Sequence, residues 1–262
     1  MTRAIALVTG ASSGLGLELA RCFGRDGHDL VLVARSGAPM HELADELEER
    51  YEVTTHVIPK DLARPGAPRE LAFELDALKV EIDALVNSAG FTQFARFAES
   101  DEQEMLELLN LNVIALTHLT RLLLPGMIAR GRGTIINMAS NAAFQPGPLM
   151  ACYYASKAFV LSFSLAIAEE LRGSGVSVTA LCPGPTRTGF QARGEMEDSK
   201  LVSGRELATA AEVAEWGYAQ AKRGRPFAVH GARWQTAAFA TRLIPRPFAA
   251  RLTLRAQERA GS

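Results

Sequence analysis

Cysteine is scarce in this chain: Cys22, Cys152 and Cys182 are the only three. An odd number without metal-ligand spacing excludes a disulfide scaffold and argues against a zinc site. The five histidines, His28, His41, His56, His118 and His230, are scattered and have neither a partnered acid nor metal spacing, so no metal is expected. Only two tryptophans are present, and Trp216 and Trp234 read as core or interface aromatics rather than as a stacking platform for nucleic acid. Net charge is −1, too small for the chain as a whole to act as a polycation. Charges or prolines interrupt every apolar run before the roughly 20 residues that a membrane span needs. Met1 to Gly10 reads as a short strand entering a glycine loop, without a charged leader, so a cytoplasmic protein is expected.

What is present is a globular composition, 48% apolar and 22% charged, and a regular alternation of strand-like and helix-like segments. Strand candidates are Ala4 to Val8, Leu30 to Val33, Val53 to Ile58, Ala84 to Val86, Thr134 to Met138, Val176 to Leu181 and a weaker Pro226 to Val229. Between them, segments such as Leu15 to Gly24, His41 to Arg50 and Glu102 to Arg130 carry apolar residues at three- and four-residue steps. Strand, helix, strand repetition predicts an α/β fold: one Rossmann-like domain with a doubly wound parallel sheet of about seven strands. Three parts are expected: a dinucleotide-binding and catalytic core at 1–190, a substrate-loop region with the last strand at 191–230, and a basic helical extension at 231–262. Pro183 to Glu206 breaks the rhythm and reads as a lid or binding loop.

The first strand candidate runs into Gly10, Ser12, Ser13, Gly14, Leu15 and Gly16, and a helix opens there. Glycines at this junction allow a sharp turn and a close backbone approach to a pyrophosphate at the helix N-terminus. The spacing is G-x-x-x-G-x-G, a departure from the commoner G-x-G-x-x-G. At the end of the second strand, where an acid would bind a ribose 2′-hydroxyl, the chain has Ala34, Arg35 and Ser36. A guanidinium there suits a 2′-phosphate, so NADP(H) is the expected cofactor.

Tyr153 and Lys157 lie four residues apart in a helical stretch and face one side. A neighbouring ammonium together with an oxidised nicotinamide would lower the phenol's pKa from its usual value near 10 and suit it to acid and base work. Alone, the pair reads equally as a packing tyrosine and a snorkelling lysine. Ser140, just past the fifth strand candidate, can hold a substrate oxygen, although by itself it reads rather as a turn or N-cap serine.

The order of TGASSGLG, Asn87-Ser88-Ala89-Gly90, Asn112, Ser140, the Tyr153/Lys157 pair and Pro183-Gly184 resembles the short-chain dehydrogenase/reductase family over roughly residues 3 to 190. The resemblance implies that Tyr153 exchanges the proton, Lys157 binds the nicotinamide ribose and lowers the tyrosine pKa, Ser140 orients the carbonyl, and Asn112 holds a water behind the lysine. Asn110 competes for that last place. It further implies cofactor contacts from Asn87, Ala89 and Gly90, from Asp61 and Leu62 at the adenine, and from Pro183, Gly184, Thr186 and Thr188 at the nicotinamide. Ser88 replaces the second asparagine of the family's N-N-A-G segment. Asp61 also reads as a solvated turn acid and Thr188 as a plain loop residue. The implied partners are a small carbonyl or alcohol substrate and further copies in a homodimer or homotetramer. A catalytically silent dinucleotide-binding regulator is the rival reading.

Phe91, Phe94, Phe144, Met150 and Phe190 flank these motifs and predict a pocket for a bulky apolar carbonyl compound. The tail is basic: nine cations and a single acid, Glu258, follow residue 220. Phe239 and Leu243, then Phe248 and Leu252, are spaced four apart around Pro245 and Pro247, which predicts two short helices joined by a bend. Docking on the protein itself or on its oligomer mate is favoured for them over contact with an anionic membrane. The cofactor expectation is testable: NADP(H) should be preferred, and Arg35→Ala should erode the preference ten- to a hundredfold, roughly one charge-assisted contact. Equal use of both cofactors by the unmutated chain, read as kcat/KM, would overturn it.

Overall fold

Apolar side chains that alternate between two equally buried faces dictate a sheet covered on both sides, and the strands of this chain follow that rule. Ala6 and Val8 point to one face and Leu7 to the other, and none of the three has any exposure. Burial of each such leucine or valine contributes about 1.5–3 kcal/mol. The structure, a computed structural model, describes residues 3–189, 207–241 and 243–257. Its strands are β1 (Ile5–Thr9), β2 (Asp29–Ala34), β3 (Thr55–Pro59), β4 (Ile82–Asn87), β5 (Gly133–Met138), β6 (Val176–Cys182), β7 (Thr186–Arg187), β8 (Ala208–Thr209) and β9 (Phe227–Val229). Seven form one parallel sheet in the order β3-β2-β1-β4-β5-β6-β9. The single-domain, doubly wound architecture expected from the sequence is therefore present. Winding reverses between β1 and β4, and the carboxyl ends of these strands open the crevice in which such sheets bind ligands.

Nine α-helices flank the sheet among the described residues: α1 (Gly14–Arg25), α2 (Gly37–Tyr51), α3 (Ala67–Leu78), α4 (Glu102–Leu109), α5 (Leu116–Ala129), α6 (Ala151–Glu170), α7 (Ala210–Lys222), α8 (Ala232–Ala240) and α9 (Arg246–Gln257). Leu19 of α1, Met40 and Leu47 of α2 and Tyr218 of α7 cover the Ala6/Val8 face. Leu71 of α3 and Leu119 and Met127 of α5 cover the Leu7 face. α2 begins at Gly37, four residues before the periodic stretch starting at His41. Pro39 falls in its first turn, where a missing N–H costs nothing. α3 escapes periodicity because its buried stripe on the helix body is only Leu71 and Leu75, while Phe73 on the other side is 65% exposed.

The long stretch from Glu102 to Ala129 is one helical rod interrupted by a π turn at Asn110–Ala115. A π turn inserts one extra residue, and such insertions frequently mark functional positions. Here it turns Asn112 inward to 1% exposure. Contrary to the expectation from charge and proline placement, this rod and α6 are both long and apolar enough to cross a membrane. In α6 Lys157 is the only charge before Glu169. The physical reason is that its outer face is uncharged as well: Ala155, Phe159, Ser162, Leu165 and Ala166 are exposed.

The tail forms the two helices and the bend expected of it, and of the two docking surfaces expected for its apolar pairs, the body of the same chain is not the one they face. Pro247 sits in the first turn of α9 rather than interrupting it. The i,i+4 pairs read as the docking stripe point outward, with Phe239 63%, Leu243 76%, Phe248 53% and Leu252 42% exposed. The inner face of α9 is Ala249, Thr253 and Gln257.

Asn87, expected at the cofactor, belongs to the scaffold instead. It stands opposite Asn137 in the β4–β5 register. Its Nδ2 donates to Asn137 Oδ1 at 2.9 Å and Thr120 Oγ1 at 3.1 Å, and Asn137 Nδ2 donates to Ser164 Oγ at 2.9 Å. All four side chains are buried, so the network stitches sheet, α5 and α6 together and holds Asn87 away from the crevice. Asn87→Ala should destabilise the protein by about 1–3 kcal/mol, since it leaves buried partners unsatisfied. Urea unfolding measures this, and an unchanged midpoint would show the network to be dispensable.

Candidate functional site

A turn that must admit a backbone next to it can carry no side chain, and the loop after β1 meets that condition twice. Gly10 has φ +70°, and a Cβ there would lie 2.9 Å from Ala89 Cα. A Cβ on Gly16 would collide with the Gly10 carbonyl. Thr9 Oγ1 locks the two strand ends, accepting from Ser88 N at 3.0 Å and Ala89 N at 3.1 Å and donating to Val86 O at 3.2 Å. The result is a glycine cradle at the N-terminus of α1, where backbone amides face an anion.

This cradle forms one end of a cleft of about 450 Å³. Gly10, Ser12, Ser13, Gly14, Leu15, Gly16, Arg35, Asp61, Leu62, Ala89, Gly90, Ser140, Tyr153, Lys157, Pro183, Gly184, Thr186 and Thr188 all line it. Arg35 is exposed at the rim beside Ser36. Lys60, a second cation at this end that the sequence reading passed over, is engaged with Glu70 at 3.2 Å and Glu74 at 3.0 Å. Asp61 Oδ1 accepts from Ala63 N at 3.0 Å, so the turn-acid reading and the cleft position hold together.

At the other end, β5 and α6 bring Ser140, Tyr153 and Lys157 together. Ser140 caps a 3₁₀ turn, its Oγ accepting from Ala142 N at 3.1 Å, and also hydrogen-bonds Tyr153. It is a cap and a site residue at once. Lys157 Nζ donates to Met138 O at 2.8 Å and lies 5.6 Å from the centre of the Tyr153 ring. Burial lowers the Lys157 pKa to about 8 and raises that of Tyr153 to about 12, against a smaller opposing contribution from Ser140. The expected fall of the tyrosine pKa is thus not supplied by the protein's own residues, because desolvation outweighs the hydrogen bond to Ser140. Tyr153 therefore stays a protonated phenol across the neutral range. Cys182, pushed up to about 12 mainly by burial, remains a thiol.

Asn112 stands behind the cleft rather than in it. Its Oδ1 accepts from Phe91 N at 3.2 Å, and its Nδ2 donates to Phe91 O at 3.0 Å and Ser156 Oγ at 3.3 Å. Asn112 Oδ1 and Lys157 Nζ approach the same point above Gly90, 2.9 and 3.6 Å from where a Cβ would stand. Asn110, only partly buried, is not the inward-turned asparagine of the π turn.

Of the five residues expected to shape an apolar pocket, Met150 lines the cleft. Phe91 is buried as the partner of Asn112, Phe94 packs behind Met150 and Tyr154, and Phe144 packs beneath β6. Phe190 lies outside the described residues. The aromatic walls that sequence reasoning missed are Tyr154 and Trp234. Trp234 comes from the tail, where α8 lays its indole against Gly184, closely enough that a Cβ on that glycine would collide with it. No spacing rule connects position 234 to the other residues of the site.

A family model described as short chain dehydrogenase matches residues 4–198. A very-long-chain 3-oxoacyl-CoA reductase of Phaeosphaeria nodorum is 38% identical over 179 residues, 66% of this chain and 52% of that protein. The chain thus spans about half the length of the curated relatives it matches. Among solved structures, a short-chain dehydrogenase from Sphingobium yanoikuyae in complex with NADPH has a TM-score of 0.82 and 32% identity, covering 99% of this chain and 98% of that one. A bulky-bulky ketone specific alcohol dehydrogenase from Comamonas testosteroni has a TM-score of 0.78 and 30% identity, covering 100% and 97%.

The buried ammonium gives a prediction about pH. Its folded pKa of about 8 lies below the unfolded value near 10.5, so the unfolded chain binds more protons between those values and stability rises with pH there. At pH 7 the burial cost, up to roughly 3 kcal/mol, is fully present. Lys157→Met should therefore raise the unfolding midpoint in urea at pH 7 while disabling turnover, and the gain should shrink toward pH 10. A variant less stable than the unmutated chain at pH 7 would contradict this.

Proposed function

The chain belongs to the short-chain dehydrogenase family, and on that premise we propose that it interconverts a bulky apolar ketone and its alcohol with NADP(H). The observation that carries the proposal is the meeting of Ser140, Tyr153 and Lys157 at the end of a cleft whose other end is a glycine cradle beside Arg35. The cradle fits a dinucleotide: Gly10 and Gly16 leave room only for backbone, and the N-terminus of α1 would face the pyrophosphate. Arg35 would take the 2′-phosphate, Asp61 and Leu62 the adenine, Ala89, Gly90 and Lys157 the ribose, and Pro183, Gly184, Thr186 and Thr188 the nicotinamide. When bound, the cofactor supplies hydride in one direction and a positive ring in the other.

In reduction, Ser140 Oγ orients the carbonyl oxygen, and Tyr153 Oη gives its proton to that oxygen as the alcohol forms. A phenol with a pKa of about 12 is fully protonated at neutral pH and suits this direction. Lys157, beside the ring, stabilises the phenolate left behind until it regains a proton. In oxidation the same atoms run in reverse. Met150, Tyr154 and Trp234 form the apolar wall that favours a large substituent. The ketone specificity in the description of the Comamonas testosteroni protein supports this choice. A second reading, reduction of a 3-oxoacyl thioester, rests on the relative from Phaeosphaeria nodorum. Retention of all three chemical residues favours catalysis over a silent regulator.

Exposed apolar residues on the outer faces of the π turn and α6, Ile114 at 57%, Phe159 at 40% and Leu165 at 37%, support a second copy as partner. α6 also carries Tyr153 and Lys157 and packs on the sheet, which favours its place in the fold over a membrane span.

Turnover of bulky aryl ketones, short methyl ketones and 3-oxoacyl-CoA with NADPH and NADH is the test. Bulky ketones with NADPH should give the highest kcat/KM, and a clear preference for the thioester would favour the second reading. Tyr153→Phe should lower kcat by about a hundredfold or more while NADPH affinity stays within severalfold. Substantial residual turnover would remove the phenol from the mechanism.

A further inference from the structure

Gln257 is the last described residue of α9 and has no exposure. A long amide is rarely buried to this extent without a specific partner. The partner is Tyr154: Gln257 Nε2 donates to Tyr154 Oη at 2.6 Å and lies 3.6 Å from Met150 Sδ. Both partners line the cleft. Tyr154 is fixed on two further sides. Gly147 presses its bare backbone against the ring so closely that a Cβ there would fall inside it. On the other side, the Tyr153 ring meets it edge-on at 6.1 Å between centres. Among the described residues, the hydrogen bond from Gln257 anchors the Tyr154 hydroxyl in this otherwise apolar packing.

We propose that Gln257 is a positioning residue for the substrate pocket: from the end of the chain it seats the Tyr154 ring and so sets how large a carbonyl substituent the cleft accepts. Met150, Tyr154 and Gly147 belong to the segment between Ser140 and Tyr153 or directly border it, so a shift of the Tyr154 ring changes the wall beside the reacting oxygen. With the anchor removed, the buried hydroxyl has lost its partner, and the ring tilts away from Gly147 toward water. The space taken in that movement is the space open to substrate. This inference rests on the carbonyl-reductase reading for its substrate class, but the anchor itself can be examined without turnover.

Gln257→Met keeps length and shape and removes the hydrogen bond. In the full chain it should raise KM for a diaryl ketone about tenfold relative to KM for a short methyl ketone. Adding Tyr154→Phe removes the stranded hydroxyl and should bring that ratio back to within about threefold of the unmutated chain. An unchanged ratio in Gln257→Met, or a change that Tyr154→Phe leaves unrescued, overturns the proposal, because a merely loosened tail would not be repaired by a second substitution. Hydrogen exchange provides a readout independent of activity. Gln257→Met should speed exchange in residues 145–154 as well as in α9, and acceleration confined to α9 overturns the proposal. Absence of ketone turnover by the unmutated chain would count against the function, whereas the exchange result would still judge the anchor.

Discussion

An ammonium buried beside a phenol and hydrogen-bonded to a backbone carbonyl is a costly arrangement, and much of the architecture around the cleft serves to hold it. Lys157 reaches Met138 O because α6 lies against the carboxyl end of β5. α6 stays there because Ser164 is bonded to Asn137 and, through it, to Asn87 and α5. The π turn brings Asn112 to the other side of the same helix, where it bonds Ser156. Apart from the Lys157–Met138 bond, these contacts are made by residues that do not line the cleft, and together they fix the positions of two side chains inside it. A group whose burial opposes its own charge can persist only where the surroundings leave it no alternative position.

The sheet was legible because its strands bury both faces and their apolar runs are continuous; all seven candidates recur within two residues at either end. The glycine loop was legible because its spacing reports a backbone requirement. Ser140, Tyr153 and Lys157 were legible as a set, each of them ambiguous alone. Asn87 was misread because its neighbours Ala89 and Gly90 do line the cleft, whereas strand alternation and the facing Asn137 turn its amide into the scaffold. The lowered pKa of Tyr153 was expected with an oxidised nicotinamide beside it; in the protein alone burial raises it, since a sequence shows which charges are nearby but not how much water has been removed. Trp234, Tyr154 and Gln257 carry no local signal. Their relation depends on where α8 and α9 return to the fold, and that is set by packing.

The tail shows how an amphipathic pattern can mislead. Its large apolar residues suggested docking on the chain itself or on an oligomer mate, and toward the chain itself the space takes small and polar residues: Ala249, Thr253 and Gln257 fit against the protein, and Phe248 and Leu252 face away from it. Bulk at four-residue spacing says that a helix has a preferred side, not which side the body occupies.

The return of the tail to the cleft joins two distant stretches of the chain in one site. Ser140, Tyr153 and Lys157 all lie within the stretch matched by the family model, which ends at residue 198. Trp234 and Gln257 lie beyond it. The reacting end of the cleft and part of its apolar wall are thus built from separate stretches of the chain, so a substitution in α8 can alter the wall without touching Ser140, Tyr153 or Lys157.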